Sequence, residues 1–298
     1  MSLETLAYGD HDLQTVTVAR SYPAVTTEND PGYWVILIHG GAWRDPTQTS
    51  TSYLTPALSI LSSASPQPAI AGLASISYRL SAHPSHLQDP TSVPARSLRT
   101  AKHPDHISDV RAALSFLAAK YKFGNRYILM GHSCGATLAF QAVMGCLSAV
   151  QRYECGGYES PVAILGMAGI YDLRLLRDSH RDVSAYQEFI EGAFGGEEGV
   201  WDAASPGVVG GGEGVEGWKE GRVVVLAHSG GDTLCDVAQS DGMKRFLSEW
   251  EKAVSGSRGG REVHFLSIQG EHDEAWEKGG ELARGILFTL SKLQEMGV

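Results

Sequence analysis

The sequence predicts an α/β fold, with a mostly parallel central sheet and helices on both of its faces. Strand-like apolar runs alternate with helix-like segments along the 298 residues. The runs at residues 34–38, 127–130 and 223–227 are short and continuously apolar, which is typical of buried parallel strands. With 43% hydrophobic residues the chain can bury a sizeable core, and we predict one domain over residues 1–298.

The other elements of the first half follow from periodicity. An alternating run at residues 13–18 predicts an early edge strand. A helix near residues 53–62 precedes a strand at 70–78, and a further helix opens at 103–106. Between them, residues 81–100 are rich in Pro, Ser and His without a period, which predicts a surface loop.

One region interrupts the alternation. After a strand at residues 162–167, the segment from about 173 to 221 predicts a small cap or loop insertion, with a helix around residues 185–194. The glycines of residues 195–199 and 207–217 predict a mobile loop beside or over the functional site. A surface insertion without a catalytic role is the alternative.

The segment Gly-His-Ser-Cys-Gly at residues 131–135 lies between an apolar run and a helix-forming segment. A G-x-S-x-G pattern in this setting indicates a nucleophile elbow, a sharp strand-to-helix turn that holds a serine in a strained backbone conformation. Gly131 and Gly135 occupy the positions where a Cβ would clash with neighbouring elements. Ser133 is therefore the candidate nucleophile.

A second glycine motif, His-Gly-Gly-Ala-Trp at residues 39–43, follows the apolar run at residues 34–38. In hydrolases with a nucleophile elbow, a loop of this kind and the residue after the serine supply the backbone N–H groups that bind an oxyanion. The expected donors are the amides of Gly41, Ala42 and Cys134, with Gly40 as a further candidate. Two motifs in the required order support each other more than either does alone.

A serine hydroxyl needs a base and an acid that orients the base, and in this fold both follow the serine along the chain. Four histidines do so: His180, His228, His264 and His272. His228 and His264 belong to strand-like runs. His272 lies in a polar loop just past a strand, where the sites of α/β proteins assemble, and is the candidate base.

The candidate acid is Asp232, in the loop Ser-Gly-Gly-Asp that precedes a helix expected to begin near Leu234. It would accept a hydrogen bond from His272, fix its tautomer and stabilise the imidazolium. The competitors are Asp236, expected a turn inside the helix, and Asp273, adjacent to the base. The plainer alternatives are a helix-capping Asp232 and a solvated His272.

Composition argues against several classes of partner. The formal net charge of -10 and the pI of about 5.5 come without an offsetting basic cluster, which disfavours nucleic-acid and anionic-membrane partners. No stretch is long and apolar enough to span a bilayer, and residues 1–10 lack the features of a signal peptide. We expect a soluble cytoplasmic enzyme with a small-molecule substrate. A homodimer is compatible with the sequence, which does not determine the oligomeric state.

The cysteine and histidine positions predict no metal and no cofactor. The cysteines are scattered, without disulfide or metal-ligand spacing, at Cys134, Cys146, Cys155 and Cys235. Free thiols in a reducing compartment are the simpler interpretation. Solvated or capping roles are expected for the histidines of the loop and helix start, which are His83, His86, His103 and His106.

Taken together, these motifs resemble the α/β-hydrolase fold and, within it, the kynurenine formamidase (arylformamidase) family, particularly its fungal type. The most discriminating element is the His-Gly-Gly-x-Trp motif at residues 39–43. The related hormone-sensitive-lipase group usually has a third glycine where Ala42 stands and lacks the tryptophan at Trp43. The family's oxyanion amides correspond to Gly41 and Ala42, whereas the glycine-rich run at residues 207–217 matches no motif of the family.

The resemblance implies hydrolysis of N-formyl-L-kynurenine to L-kynurenine and formate, a step of tryptophan degradation towards NAD synthesis. Ser133, Asp232 and His272 would form the catalytic triad. Trp43 would bound a small acyl pocket or contact the aromatic ring of the substrate, and packing under the loop is the alternative. A general short-chain carboxylesterase of the same fold and a non-catalytic ligand-binding protein are the other functions considered.

Overall fold

The computed structural model describes residues 2–20, 32–64, 69–145, 157–253 and 260–298. The strands of these residues are β1 (Ser2–Ala7), β2 (Thr15–Arg20), β3 (Tyr33–Ile38), β4 (Ile70–Ile76), β5 (Tyr127–His132), β6 (Ala163–Met167), β7 (Val223–Ser229) and β8 (Glu262–Ile268). They form one sheet in the order β1-β2-β4-β3-β5-β6-β7-β8. β2 pairs antiparallel with β1 and β4, and the other neighbours pair in parallel. The predicted mostly parallel sheet is confirmed.

Helices cover both faces of this sheet. In the described residues they are α1 (Ser50–Ser63), α2 (Asp105–Tyr121), α3 (Cys134–Gln141), α4 (Leu173–Ser179), α5 (Ser184–Phe194), α6 (Glu198–Ala204), α7 (Val237–Lys252), α8 (Glu274–Glu277) and α9 (Gly280–Glu295). Successive side chains of β3 point to opposite faces. Ile36 and Ile38 pack in the core layer that includes residues of α2, α3 and α7, and Val35 packs in the layer of α1 and α9.

The edge of the sheet differs from the prediction. The strand expected at residues 13–18 is β2, which lies between β1 and β4 instead of at the edge. The edge strand next to β2 is β1, and its side chains are exposed or half-buried along the whole strand. A strand with one neighbour and little burial has a weak hydrophobic pattern, and the sequence analysis therefore missed it.

Two helix boundaries differ for local reasons. α1 begins at Ser50, because the side chain of Thr49 accepts a hydrogen bond from the amide of Ser52 and caps the helix. The helix expected near Leu234 begins at Val237. Asp236 therefore precedes the helix and does not lie a turn inside it.

The region of the predicted insertion contains more regular structure than expected. Its helices are α4, α5 and α6, and α5 confirms the helix expected around residues 185–194. The glycine-rich run contributes two 3₁₀ turns, Gly211–Glu213 and Val215–Gly217, and the side chains of Val215 and Trp218 anchor it in the core. The single-domain organisation with an insertion over 173–221 stays a prediction.

The parallel strands determine where a site can form. Register pairs Ile38 of β3 with Gly131 of β5, and Ser229 of β7 with Ile268 of β8, so these strands end at one edge of the sheet. The residues that follow them are the two glycine motifs and the loops of the candidate acid and base. Among the described helices, none combines the length and apolar composition needed to cross a membrane.

Candidate active site

The turn between β5 and α3 has the geometry of a nucleophile elbow. Ser133 has φ 54° and ψ −124°, a conformation that L-residues rarely adopt, and its amide donates to the carbonyl of Met167 at 2.9 Å. A Cβ on Gly131 would collide with the carbonyl of Gly135, and one on Gly135 with the carbonyl of Ile38. Both glycines are therefore required where the sequence analysis placed them. Ser133 is 6% exposed.

The candidate acid and base are in direct contact. His272 Nδ1 donates to Asp232 Oδ2 at 2.7 Å, and the Asp232 side chain is fully buried. The other oxygen, Oδ1, accepts from the amides of Leu234 and Cys235, both at 2.9 Å. These bonds form a turn, which explains why α7 starts only at Val237. They also fix the carboxylate that orients the imidazole.

The Asp232 carboxyl is held in its ionised form. Burial raises its pKa, but the nearby His228 and His272 rings and the Cys235 amide outweigh burial and bring the pKa well below the ordinary 3.8. The His228 ring is the farther of the two, with Nε2 at 3.5 Å from Oδ2. A permanent negative charge beside His272 stabilises the imidazolium that proton transfer from a nucleophile would produce.

The base and the nucleophile line the same cavity. Within the described residues, Ser133 Oγ forms no hydrogen bond, and such contacts are often long without substrate. The competing acids do not contact the base through a hydrogen bond. Asp236 Oδ2 lies 3.9 Å from His180, and Asp273 Oδ1 accepts from the indole of Trp276 at 2.9 Å.

The predicted oxyanion donors lie in a turn of unusual backbone conformation. Gly41, Ala42 and Trp43 have φ values of 94°, 49° and 58°. In the described residues the Gly41 amide donates to no other group, and the amides of Ala42 and Cys134 approach only the Cys134 thiol. The Gly40 amide instead donates to the Tyr53 hydroxyl at 3.0 Å. The further candidate, Gly40, is thus already occupied by a protein partner.

The Cys134 side chain supports this turn by contacting its backbone. Its sulfur accepts from the Trp43 amide at 3.3 Å and lies 3.6 Å from the Tyr78 hydroxyl. Burial raises the pKa of the Cys134 thiol to about 11, so the sulfur stays neutral at physiological pH. A neutral thiol places no negative charge beside the amides that would bind an oxyanion.

Trp43 is fully buried and does not line the cavity. Its indole packs edge-on against Phe194, with ring centroids 4.9 Å apart, and more loosely against Phe189 at 6.2 Å. Phe189 itself lines the cavity. This placement matches the packing alternative, in which Trp43 supports the turn from behind.

His132, the residue before Ser133, connects parts of the site that are distant in sequence. His132 Nε2 donates to the backbone carbonyl of His272 at 3.0 Å, and His132 Nδ1 lies 2.8 Å from the Tyr53 hydroxyl. The same hydroxyl accepts the Gly40 amide and lies 2.8 Å from Gln48 Oε1. His132 therefore connects the elbow to the loop of the base and, through Tyr53, to the oxyanion turn. No sequence signal indicates this, because Tyr53 and His132 are 79 residues apart on different elements.

The cavity over Ser133 has a volume of about 360 Å³ and is lined by apolar and polar side chains, which we call its apolar wall and its polar wall. The apolar wall consists of Ile170, Leu176, Val183, Tyr186, Phe189 and Leu234. The polar wall consists of Arg44, Asp45, Gln48, His83 and Asp273. No residue of 195–217 lines the cavity, so the expectation of a glycine-rich loop over the site is wrong. From the predicted insertion, α4, α5 and their connection line the cavity instead.

The possible metal ligands already have other partners. In the described residues, one potential ligand atom each of His132, His272 and Asp273 lies within 4.8 Å of the others. Both nitrogens of His132 are hydrogen-bonded, and Nδ1 of His272 is bound to Asp232. The absence of a metal and of a cofactor stays a prediction. Cys134 and Cys235 are buried free thiols, and Cys146 and Cys155 lie outside the described residues.

The first-half histidines have separate surroundings. His83 lines the cavity, and its ring lies edge-on to that of His86 with centroids 4.8 Å apart. His106 is buried, with Nε2 at 3.1 Å from the Ser81 hydroxyl, and burial lowers its pKa to about 3. His103 lies just before α2, and its backbone amide donates to the carbonyl of Ala193.

Comparison with known proteins identifies relatives of this chain. It is 38% identical to the kynurenine formamidase-like hydrolase fscH of Fusarium equiseti, over 90% of this chain and 86% of that protein. It is 34% identical to the kynurenine formamidase avaC of Aspergillus versicolor, over 83% and 85% respectively. Residues 90–247 match the BD-FAE family.

Solved structures share the fold at low sequence identity. Esterase B from Lactobacillus Rhamnosis matches with a TM-score of 0.65 and 19% identity, over 99% of this chain and 88% of that one. A carboxylesterase from Lactobacillus plantarum matches with a TM-score of 0.64 and 15% identity, over 100% and 98%. The predicted α/β-hydrolase fold is confirmed.

Replacing Asp232 with Asn should lower kcat by about 10³- to 10⁴-fold, because an amide facing His272 favours the wrong tautomer and carries no charge. The measurement is kcat for an aryl ester with folding checked by circular dichroism. The matched control is Asp236→Asn, which should lose little because Asp236 lies near His180 and not near the base. A larger loss in the control would transfer the role of the acid to Asp236.

Replacing His132 with Leu should lower kcat by about 2- to 10-fold with KM little changed, because one hydrogen bond that positions the loop of the base is lost. His132→Gln should recover most of the rate, since its amide N–H can replace the Nε2–H donor. Burial and the neighbouring His272 ring hold the pKa of His132 well below 6.5, so it stays neutral. His132 should therefore contribute no ionisation of its own to the pH dependence of the wild-type rate. Equal rates in the Leu and Gln variants would contradict the positioning role.

Proposed function

Because the chain belongs to the kynurenine formamidase family of α/β-hydrolases, we propose that it hydrolyses N-formyl-L-kynurenine to L-kynurenine and formate. The observation that carries the proposal is the hydrogen bond between His272 and Asp232. His272 lines one cavity together with Ser133 and the turn that contains Gly41 and Ala42. The chain is a hydrolase, and the proposed substrate is a linear aryl formamide. This activity would place it in tryptophan degradation towards NAD synthesis, in the cytoplasm.

The reaction begins with attack of Ser133 Oγ on the formyl carbon while His272 Nε2 takes the hydroxyl proton. The amides of Gly41, Ala42 and Cys134 bind the oxygen that becomes negative. The tetrahedral intermediate collapses when the protonated His272 gives its proton to the aryl amine, which leaves as L-kynurenine. Water, activated by the same imidazole, then attacks the formyl-serine and releases formate.

The charges around the site suit this sequence of steps. Asp232 stays ionised because its pKa is lowered, and it stabilises His272 in the protonated form that both transition states require. Cys134 stays neutral because its pKa is raised, and it does not repel the oxyanion. Proton donation to nitrogen is the demanding step, since an anilide ion is a poor leaving group.

The shape of the cavity supports an aryl substrate. Its apolar wall offers aliphatic and aromatic surfaces to a benzene ring, with Phe189 and Tyr186 from α5 among them. Ser133 is only 6% exposed, so access to its hydroxyl is restricted. A formyl group is the smallest acyl unit and fits this constraint.

Ser133→Ala should abolish hydrolysis and leave the fold intact, because the lost hydroxyl makes no hydrogen bond within the described residues. A fluorophosphonate reagent should label the wild-type protein at Ser133 alone, as read by peptide mass spectrometry. Labelling of another residue, or an alanine variant with the wild-type rate, would reject the serine mechanism.

The kcat/KM for N-formyl-L-kynurenine should exceed that for N-acetyl-L-kynurenine by at least about tenfold, because an added methyl group in a confined pocket costs on that scale. The two amides are compared directly, with p-nitrophenyl acetate and butyrate as ester controls. Efficient ester turnover with almost none of the formamide would identify a short-chain carboxylesterase instead.

A further inference from the structure

One charged group on the polar wall of the cavity has no partner in the described residues. The backbone amide of Arg44 donates to Gly41, but its guanidinium forms no hydrogen bond and no ion pair there. The nearest opposite charges, on Glu188 and Asp45, act on it only through space. A half-buried guanidinium with five N–H donors and no acceptor is suited to bind an anion.

The Arg44 side chain is held in place by packing. Its guanidinium carbon lies over the ring of Phe189, 5.7 Å from the ring centroid. Both Arg44 and Phe189 line the cavity. This position restricts the long side chain and reduces the entropy that binding would cost.

The neighbouring carboxylate completes a pair of opposite charges. Asp45 also lines the cavity, and its Oδ1 accepts from the amide and hydroxyl of Thr47 at 2.8 and 2.7 Å. Its Oδ2 has no partner in the described residues. The pair thus offers a free guanidinium and a free carboxylate oxygen to the same cavity.

We infer that Arg44 and Asp45 bind the charged amino-acid end of the substrate, the guanidinium binding the α-carboxylate and Asp45 Oδ2 the α-ammonium. The inference rests on the proposed function and names the residues that select an amino acid over an uncharged aryl formamide. A guanidinium binds a carboxylate through two parallel hydrogen bonds, which also fixes its orientation.

The position of this pair along the chain links binding to catalysis. The amides of Arg44 and Asp45 both donate to the carbonyl of Gly41, at 2.9 and 2.8 Å. One short turn therefore carries an expected oxyanion donor and both charges. Binding of the amino-acid end orients the substrate relative to the amides that must meet the formyl oxygen.

The test compares N-formyl-L-kynurenine with 2-formamidoacetophenone, which has the same aryl formamide and lacks the amino-acid end. Arg44→Gln should raise KM for the kynurenine by about 10- to 100-fold with a smaller change in kcat, and should alter kcat/KM for the acetophenone by less than about twofold. Arg44→Lys should fall between Gln and the wild type, since it keeps the charge and loses the bidentate geometry. Arg96→Gln, which removes an exposed charge paired with Asp12, is the control and should change neither substrate.

A second measurement does not depend on formamide turnover. L-kynurenine and 2-aminoacetophenone are assayed as inhibitors of p-nitrophenyl acetate hydrolysis, and only the inhibition constant of L-kynurenine should rise in Arg44→Gln. If the wild type hydrolyses neither formamide, the proposed function fails and the inhibition constants alone decide the charged subsite. If Arg44→Gln weakens both formamides or both inhibitors equally, or weakens none, the subsite is refuted while the proposed function stands.

Discussion

The active site depends on one buried, neutral histidine. His132 is the last residue of β5, next to the candidate nucleophile, and its two ring nitrogens contact the backbone of His272 and the hydroxyl of Tyr53. Burial lowers its pKa well below 6.5, so the ring stays neutral at physiological pH. These contacts connect three parts of the chain that are distant in sequence, namely the elbow of Ser133, the loop of His272 and the turn that begins at Gly40.

Strain is concentrated where the chemistry is proposed to occur. Ser133, Ala42 and Trp43 all have positive φ values, which cost free energy in residues other than glycine. The cost is offset by contacts underneath: the Cys134 sulfur accepts the Trp43 amide, and the Trp43 indole packs on Phe194. Buried contacts of Cys134 and Trp43 therefore support the turn whose Gly41 and Ala42 line the cavity.

The fold separates chemistry from substrate selection. The carboxyl edge of the sheet carries the candidate nucleophile, acid, base and oxyanion turn, whereas α4 and α5 contribute much of the apolar wall. Changing those helices would alter which acyl or aryl groups fit without moving the triad. The fold itself is shared with solved structures that are only 15–19% identical to this chain.

The sequence by itself determined the α/β class, the elbow with its two glycines, the glycine-rich turn and the candidates Ser133, Asp232 and His272, because motif spacing and the order of strands are local properties. Only the tertiary structure decided which of the neighbouring acids contacts the base, that Gly40 is occupied, and that Trp43 lies behind the turn. It also revealed His132, Tyr53 and Arg44, whose surroundings come from elements distant in sequence. The sequence analysis placed the glycine-rich run over the site for the same reason. Composition indicates that a segment lacks regular structure, but the packing of distant elements decides which segment covers a cavity.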